Sequence, residues 1–261
     1  MLVKVMVCII AGLCAGLGTG FAGMSAAVVI APMLVVFLGF PAYQSVGIAL
    51  ASDVLASGFS AVTYARNRHI DLKHGSIMLV SVLIFTLIGS AVAYEISKTS
   101  DSVLGSFSVF MTAFMGLKFL VKPVETTREH RQMLSNTVKT VEALVGGAVI
   151  GFICGFMGAG GGLMMLFVLT SILGYELKTA VGTSVFIMAF TALTGAVSHF
   201  VNGGIYDVPA LILCVLFTLI GALWASSVAN RASNSTLNRA VGVLLLILGV
   251  ILVIFKLFFS V

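Results

Sequence analysis

The chain has 261 residues, of which 60% are hydrophobic and only 9% are charged, and its mean hydropathy is +1.19. A soluble domain carries roughly 25% charged residues to face water, so a water-soluble globular fold is excluded and lipid must be the main solvent. The net charge of +5 is spread over Lys and Arg residues that sit between apolar runs rather than on one face, which excludes a nucleic-acid surface.

Taken in chain order, Lys4 precedes an apolar stretch that continues to about Gly39. That is too long for a signal peptide, and a second copy occurs mid-chain where no signal acts. Cys14 follows Leu13 instead of the small residue a lipid-anchoring signal needs. Cys8, Cys14, Cys154 and Cys214 stand singly in apolar runs and are expected to be small buried hydrophobes, with no disulfide or metal spacing.

A helix needs about 20 apolar residues to cross a hydrocarbon core. Full-length spans are expected at 43–65, 75–97, 102–121, 178–201, 208–229 and 238–259. The stretches 3–38 and 140–173 would each be about 50 Å long as one helix, too long for a single crossing. Each contains a cluster of glycines: Gly16, Gly18, Gly20 and Gly23 in the first, Gly155, Gly158, Gly160, Gly161 and Gly162 in the second. We therefore expect two short helices meeting at a break inside the membrane, where irregular backbone persists only if protein or a polar cavity satisfies it. The expected units are a first transmembrane repeat (1–121), a cytoplasmic linker (122–139) and a second transmembrane repeat (140–261).

The halves superpose at an offset of 135, which carries Gly12, Gly16, Gly20, Gly23, Gly39 and Gly47 onto Gly147, Gly151, Gly155, Gly158, Gly174 and Gly182. Phe85 to Gly89 (FTLIG) recurs as Phe217 to Gly221. The expected fold is an all-α, polytopic helical bundle of two homologous halves, each with a broken or re-entrant helix pair. With a broken stretch in each half, each half crosses an odd number of times, so inverted repeats are expected. The positive-inside rule places 66–74, 122–139 and 230–239 in the cytoplasm, and 98–101 and 202–207 outside. Lys4 and Lys256 then fall outside, a small misfit. A parallel arrangement fits the charges only slightly less well, and length favours inversion.

The strongest local signal is Gly155 to Gly162 (GFMGAGGG). No strand precedes it, so a dinucleotide loop is rejected. Spaced glycines such as Gly151 and Gly155 suit close helix packing, but three consecutive glycines are costly within a helix. A break here would leave the next helix, from near Leu163, with free backbone N–H groups and a positive end that can hold an anion. Gly158, Gly160, Gly161 and Gly162 are the candidate residues. In the first half the corresponding candidates are Gly23, Ser25 and Ala26, with Ser25 offering a hydroxyl at a helix start; Pro32 beyond is a kink or a simple helix residue. Thr183 and Ser184 could donate hydrogen bonds to a bound anion, or equally bond their own helix.

Asp53 is the one carboxylate deep within a span, and such residues usually mark an ion or proton path. It is the candidate coupling residue, with a hydrogen-bonded structural acid as the alternative; its mate in the second half is Met188. His199, aligned with Tyr64, is a second coupling candidate, with a structural, interfacial histidine the stronger reading. No metal cluster, nucleotide loop or nucleophile–base pair is evident, so neither an enzyme nor a cofactor is expected.

At these residues the chain resembles the TauE/SafE sulfite exporter family, also called the toluene sulfonate uptake permease family. The resemblance rests on the duplicated unit, the Gly158-to-Gly162 break before an apolar helix, and Ala180-Val181-Gly182-Thr183-Ser184 soon after. It implies a multi-pass protein of the cytoplasmic membrane that moves sulfite, sulfonates, sulfoacetate or related anions, many members being exporters. In the first half, Ser25-Ala26-Ala27 and Val46-Gly47-Ile48-Ala49 depart from that pattern. The expected function is a secondary transporter of small organic or inorganic sulfur-containing anions by alternating access, with the proton as a possible coupling ion and the lipid bilayer as surroundings. An anion channel and a non-transporting membrane subunit are the alternatives; the exact substrate and a homo-oligomeric state are left open.

Overall fold

The structure, a computed structural model, describes residues 2–97, 135–157, 162, 165–166, 168–203 and 207–233, with single helical positions between 235 and 250. The span expected at 102–121, most of that at 238–259 and most of the linker lie outside the described residues. Among the described residues, the continuous helices are α1 (Leu2–Ala22), α2 (Ala27–Leu38), α3 (Ala42–Arg66), α4 (Leu72–Ser97), α5 (Asn136–Met157), α6 (Leu177–Gly203) and α7 (Val208–Ala229), with a π-helical turn at Val168–Ile172. Six of them, all but α2, are long and apolar enough to cross a membrane. The chain is therefore an all-helical, multi-pass membrane protein.

Polarity is inside out relative to a soluble bundle. On α7, Val208, Ile212, Leu216, Ile220 and Trp224 recur every fourth residue and are exposed, forming a stripe for lipid. The interior collects small and hydroxyl side chains instead, among them Ser45, Ser52, Ser57 and Ser60 on α3 and Thr183, Ser184 and Thr191 on α6. Most bond the carbonyl one turn earlier, as Ser52 does to Ile48 O at 2.8 Å and Thr86 to Val82 O at 2.7 Å, so their polarity is satisfied locally.

Two differences from the sequence reading concern the broken stretches. The first is not two short helices: α1 has 21 residues, enough for a full crossing, while α2 has 12, about 18 Å. Gly16, Gly18 and Gly20 are helical, and the chain first leaves α1 at Gly23. The reason is packing. A Cβ on Gly16 would lie 2.2 Å from Thr218 O, and one on Gly20 2.7 Å from Ser226 N, so these glycines let α1 lie directly on the backbone of α7. Gly151 and Gly155 do the same for α5 on α4, at 2.4 Å from Val82 O and 2.0 Å from Thr86 O. The second difference is that α5 begins at Asn136, inside the expected linker, where the exposed residues Ser135–Val138 carry its first turn beyond the apolar run.

The same close approaches give helix directions. Gly12 meets Cys214 and Phe217, Gly16 meets Gly221 and Gly20 meets Ala225, so α1 and α7 run the same way. Gly147 meets Met78, Gly151 Val82 and Gly155 Ser90, so α5 and α4 also run together. Tyr64 lies against Gly182, Leu50 against Gly195 and Tyr43 against His199, which makes α3 and α6 antiparallel.

These contacts also correct the register of the repeat. Thr218 O faces Gly16 as Val82 O faces Gly151, and 218 − 82 is 136. The identical pentapeptides, 132 apart, are thus one helical turn out of packing register. Asp71 and Asp207, again 136 apart, each cap the helix that follows, Asp71 accepting from Lys73 N–H at 3.0 Å and Asp207 from Ala210 N–H at 3.0 Å. The short helices end alike: Gly39 and Gly174 are left-handed (φ +63° and +62°), and Phe40 N–H bonds Leu34 O as Tyr175 N–H bonds Leu169 O.

Candidate functional site

The site begins where α1 stops. Gly23 adopts φ +60°, which glycine enters without steric cost, and the turn is closed by Gly23 N–H to Thr19 O and Met24 N–H to Gly18 O. Only glycine also fits the space, since a Cβ would lie 2.1 Å from Ser184 Oγ. Four residues on, α2 starts with its first N–H groups held locally: Ala27 N–H reaches Ser25 Oγ at a long 3.3 Å, and Val28 N–H bonds Ser25 O at 3.2 Å.

Gly162, the mate of Ala27, packs onto this turn. Its Cβ position is 2.4 Å from Gly23 O, 2.5 Å from Ser25 N and 2.6 Å from Met188 Sδ. Gly23, Ser25, Ala26, Gly162 and Ser184 are therefore one cluster, and the two halves meet there. Gly158, Gly160 and Gly161 lie outside the described residues.

Thr183 is not part of that cluster. Its Oγ1 accepts from Asp71 N–H at 3.0 Å, while Ser184 Oγ donates to Val181 O at 2.8 Å and lies 3.4 Å from Gly23 O. Adjacent helix positions point about 100° apart, so one hydroxyl faces the loop and the other the break.

Asp53, halfway along α3 and 1% exposed, joins the cluster. Its carboxyl lies within hydrogen-bonding reach of Ser25 Oγ, Ala26 N–H and the Thr19 hydroxyl, yet Oδ1 itself has no hydrogen-bond partner. Thr19 was not foreseen; only its position one turn before Gly23 could have marked it. Asp53's mate Met188 takes the corresponding place beside Gly162.

His199, near the end of α6, is fully buried within the protein. Its Nδ1 is 3.3 Å from Tyr43 O, its Nε2 is 3.3 Å from Gly155 O, and the ring stacks on Tyr43 with centroids 4.1 Å apart. It stands apart from the Gly23 cluster and ties α6 to α5 and α3.

A further group was missed by the sequence reading. Asp71, before α4, accepts from Tyr175 Oη at 2.6 Å and lies 3.0 Å from His74 Nδ1, joining the two halves at one end of the bundle. Burial disfavours its ionisation, but the Tyr175 hydroxyl and His74 outweigh burial and hold the carboxyl below the usual carboxylate range. His69 and Lys178 converge nearby on Asn230. At the opposite end, Asp207 pairs with Lys4. An acidic residue just before a helix start was the available signal for both, with an apolar run directly after it only at Asp207.

Such a bundle, apolar towards lipid and polar inside where the Gly23 turn meets Gly162, is that of a multi-pass membrane protein. Comparison with known proteins agrees. The chain belongs to the sulfite exporter TauE/SafE family, whose description matches residues 8–252. It is 24% identical over 263 residues to the Probable membrane transporter protein YunE of Bacillus subtilis (strain 168), covering 94% of this chain and 95% of that protein. It is 34% identical over 110 residues to the Probable membrane transporter protein YdhB of the same organism, covering 42% of this chain and 44% of that one.

Proposed function

We propose that the protein is a secondary transporter that moves small sulfur-containing anions, of the sulfite, sulfonate or sulfoacetate kind, across the cytoplasmic membrane by alternating access, in the direction of export. The observation that carries this reading is the contact of Gly162 with Gly23 O and Ser25 N. It brings the starts of two chain segments, one from each half, to the level of mid-α3. A helix start there offers backbone N–H groups and a positive end to an anion without a fixed cation. Ser25 and Ser184 supply hydroxyls, and Gly158, Gly160 and Gly161 would complete the second rim.

The halves are read as inverted repeats. What supports this is direction: α1 and α7 run together, α4 and α5 run together, and the equivalent helices α3 and α6 are antiparallel. Among the described residues, Arg66, Arg68, Lys73, Lys139, Lys178 and Arg231 gather at the end where α3 and α7 finish, against Lys4 at the other, which supports reading that end as cytoplasmic. Asp71 and Asp207 then latch opposite faces. His199 we assign to anchoring, because both ring nitrogens face backbone carbonyls.

The test is uptake into proteoliposomes of labelled sulfite, sulfoacetate and methanesulfonate. Saturable, mutually competitive flux is expected; absence of saturable flux for every one of them overturns the substrate class.

A further inference from the structure

Beside the start of α2, the place that an incoming anion would take already holds a negative group, the carboxyl of Asp53. Three observations define it. The side chain is 1% exposed. It reaches Ala26 N–H, Ser25 Oγ and Thr19, which are the donors the helix start would present to a substrate. Its Oδ1 is buried without a partner, so the carboxylate is incompletely satisfied where it sits, an arrangement that a bound proton would relieve. The matching position in the other half holds Met188, next to Gly162. The start of α2 thus has a built-in anion, whereas the repeat-related position beside Gly162 holds an apolar methionine.

We propose that Asp53 is a tethered competitor of the transported anion, so that the site admits an anion only together with a proton. A proton from water binds the Asp53 carboxylate. The neutral carboxyl gives up the Ala26 N–H and Ser25 hydroxyl, and the substrate takes their hydrogen bonds. On release the proton leaves, and the carboxylate closes the helix start again. The inference rests on the anion-site reading above and gives it a coupling rule of one proton per anion. Among the described residues, the titratable group that the Asp53 charge acts on is the Cys154 thiol of α5; α1 and the turn before α2 face Asp53 with the hydroxyls of Thr19 and Ser25.

The experiment measures binding of methanesulfonate, a permanently ionised probe, to the purified full-length protein across a pH series, together with the protons taken up on binding. In the wild type, affinity should fall about tenfold per pH unit once the carboxyl ionises, with one proton taken up per anion in that range. Asp53→Asn and Asp53→Ser should bind at high pH as the wild type does at low pH, with no pH slope and no proton uptake. Cys154→Ser should keep the slope. Two variants are used so that a folding defect in one, seen by gel filtration, does not decide the matter. A wild type that binds with no proton uptake, an affinity set by sodium instead of pH, or neutral variants that fold yet keep the slope or lose binding at every pH would each overturn the role of Asp53 while leaving the anion site standing. If no variant and no wild-type sample binds methanesulfonate, sulfite or sulfoacetate, the anion site itself fails, and this inference with it.

Discussion

Tyr64 and His199, related by the internal repeat, make the same tie in the two halves: Tyr64 Oη donates to Gly20 O at 3.1 Å, and His199 Nε2 lies 3.3 Å from Gly155 O. Gly20 and Gly155 are themselves repeat mates. Each tie holds the last turns of α1 or α5 against the equivalent helix α3 or α6. Replacing His199 by Leu should remove the hydrogen bond that its ring N–H makes to one of the Gly155 and Tyr43 carbonyls, together with the stacking on Tyr43, and cost about 1–3 kcal/mol. Thermal unfolding in detergent measures the loss. Retained proton-coupled flux in that variant would agree with an anchoring role, whereas normal stability with uncoupled flux would refute it.

Gly23 and Gly39 share a left-handed backbone but not a neighbourhood, which separates strain from contact. Gly39→Ala meets nothing within 4 Å and should cost only the backbone term, about 1–2 kcal/mol. Gly23→Ala adds a Cβ 2.1 Å from Ser184 Oγ, so it should lower Tm further and impair flux. Equal effects on Tm would show that the Gly23–Ser184 contact is immaterial.

Gly155 and Gly58 make a similar pair for helix packing. A methyl at Gly155 would press on Thr86 O, whereas Gly58 has open space around it. Gly155→Ala should destabilise by roughly 1–3 kcal/mol or more, since backbone cannot move aside cheaply. Gly58→Ala should be neutral or stabilising by up to about 1 kcal/mol, from helix propensity alone. The comparison is read as the difference in Tm.

Ser184 and Thr183 are neighbours in sequence with different surroundings. Ser184→Ala should weaken methanesulfonate binding about tenfold, the loss expected for one hydrogen bond to an anion. Thr183→Ala, which frees Asp71 N–H, should leave the binding constant unchanged and alter the transport rate. Reversal of the two outcomes in a flux assay would move the site towards the cytoplasmic loop.

The Asp71 latch carries a pH signature. Its carboxyl titrates lower in the folded protein than in the unfolded chain, so the folded state binds fewer protons over the interval between the two values. The stabilisation is present above the ordinary carboxylate range and is lost as pH falls below about 4, through the lowered folded value. Tm of the wild type should therefore drop towards that of Asp71→Asn in acid, and exceed it at neutral pH. Parallel profiles would exclude the ionised latch.

The amino-acid sequence by itself determined the solvent, the positions of the described spans to within a few residues, and the duplication. These follow from apolar content and from glycines recurring at one offset, which are properties of composition and spacing. The residues of the candidate cluster could be named from the sequence: Gly23, Ser25, Gly162 and Ser184 as small or hydroxyl residues beside the glycine-rich segments, and Asp53 as an acid deep within a span. Tertiary structure alone decided what those residues face. Whether Thr183 or Ser184 points at the break depends on how α6 is rotated against α1 and α4, which apolar sequence of even hydrophobicity does not encode. The pentapeptide repeat misplaced the register by one turn, because residues four apart share a helix face and look alike to any comparison of apolar side chains. And the partner of the α2 start is Asp53, twenty-seven positions beyond Ala26 and brought there by the packing of α3, a contact that no local pattern announces.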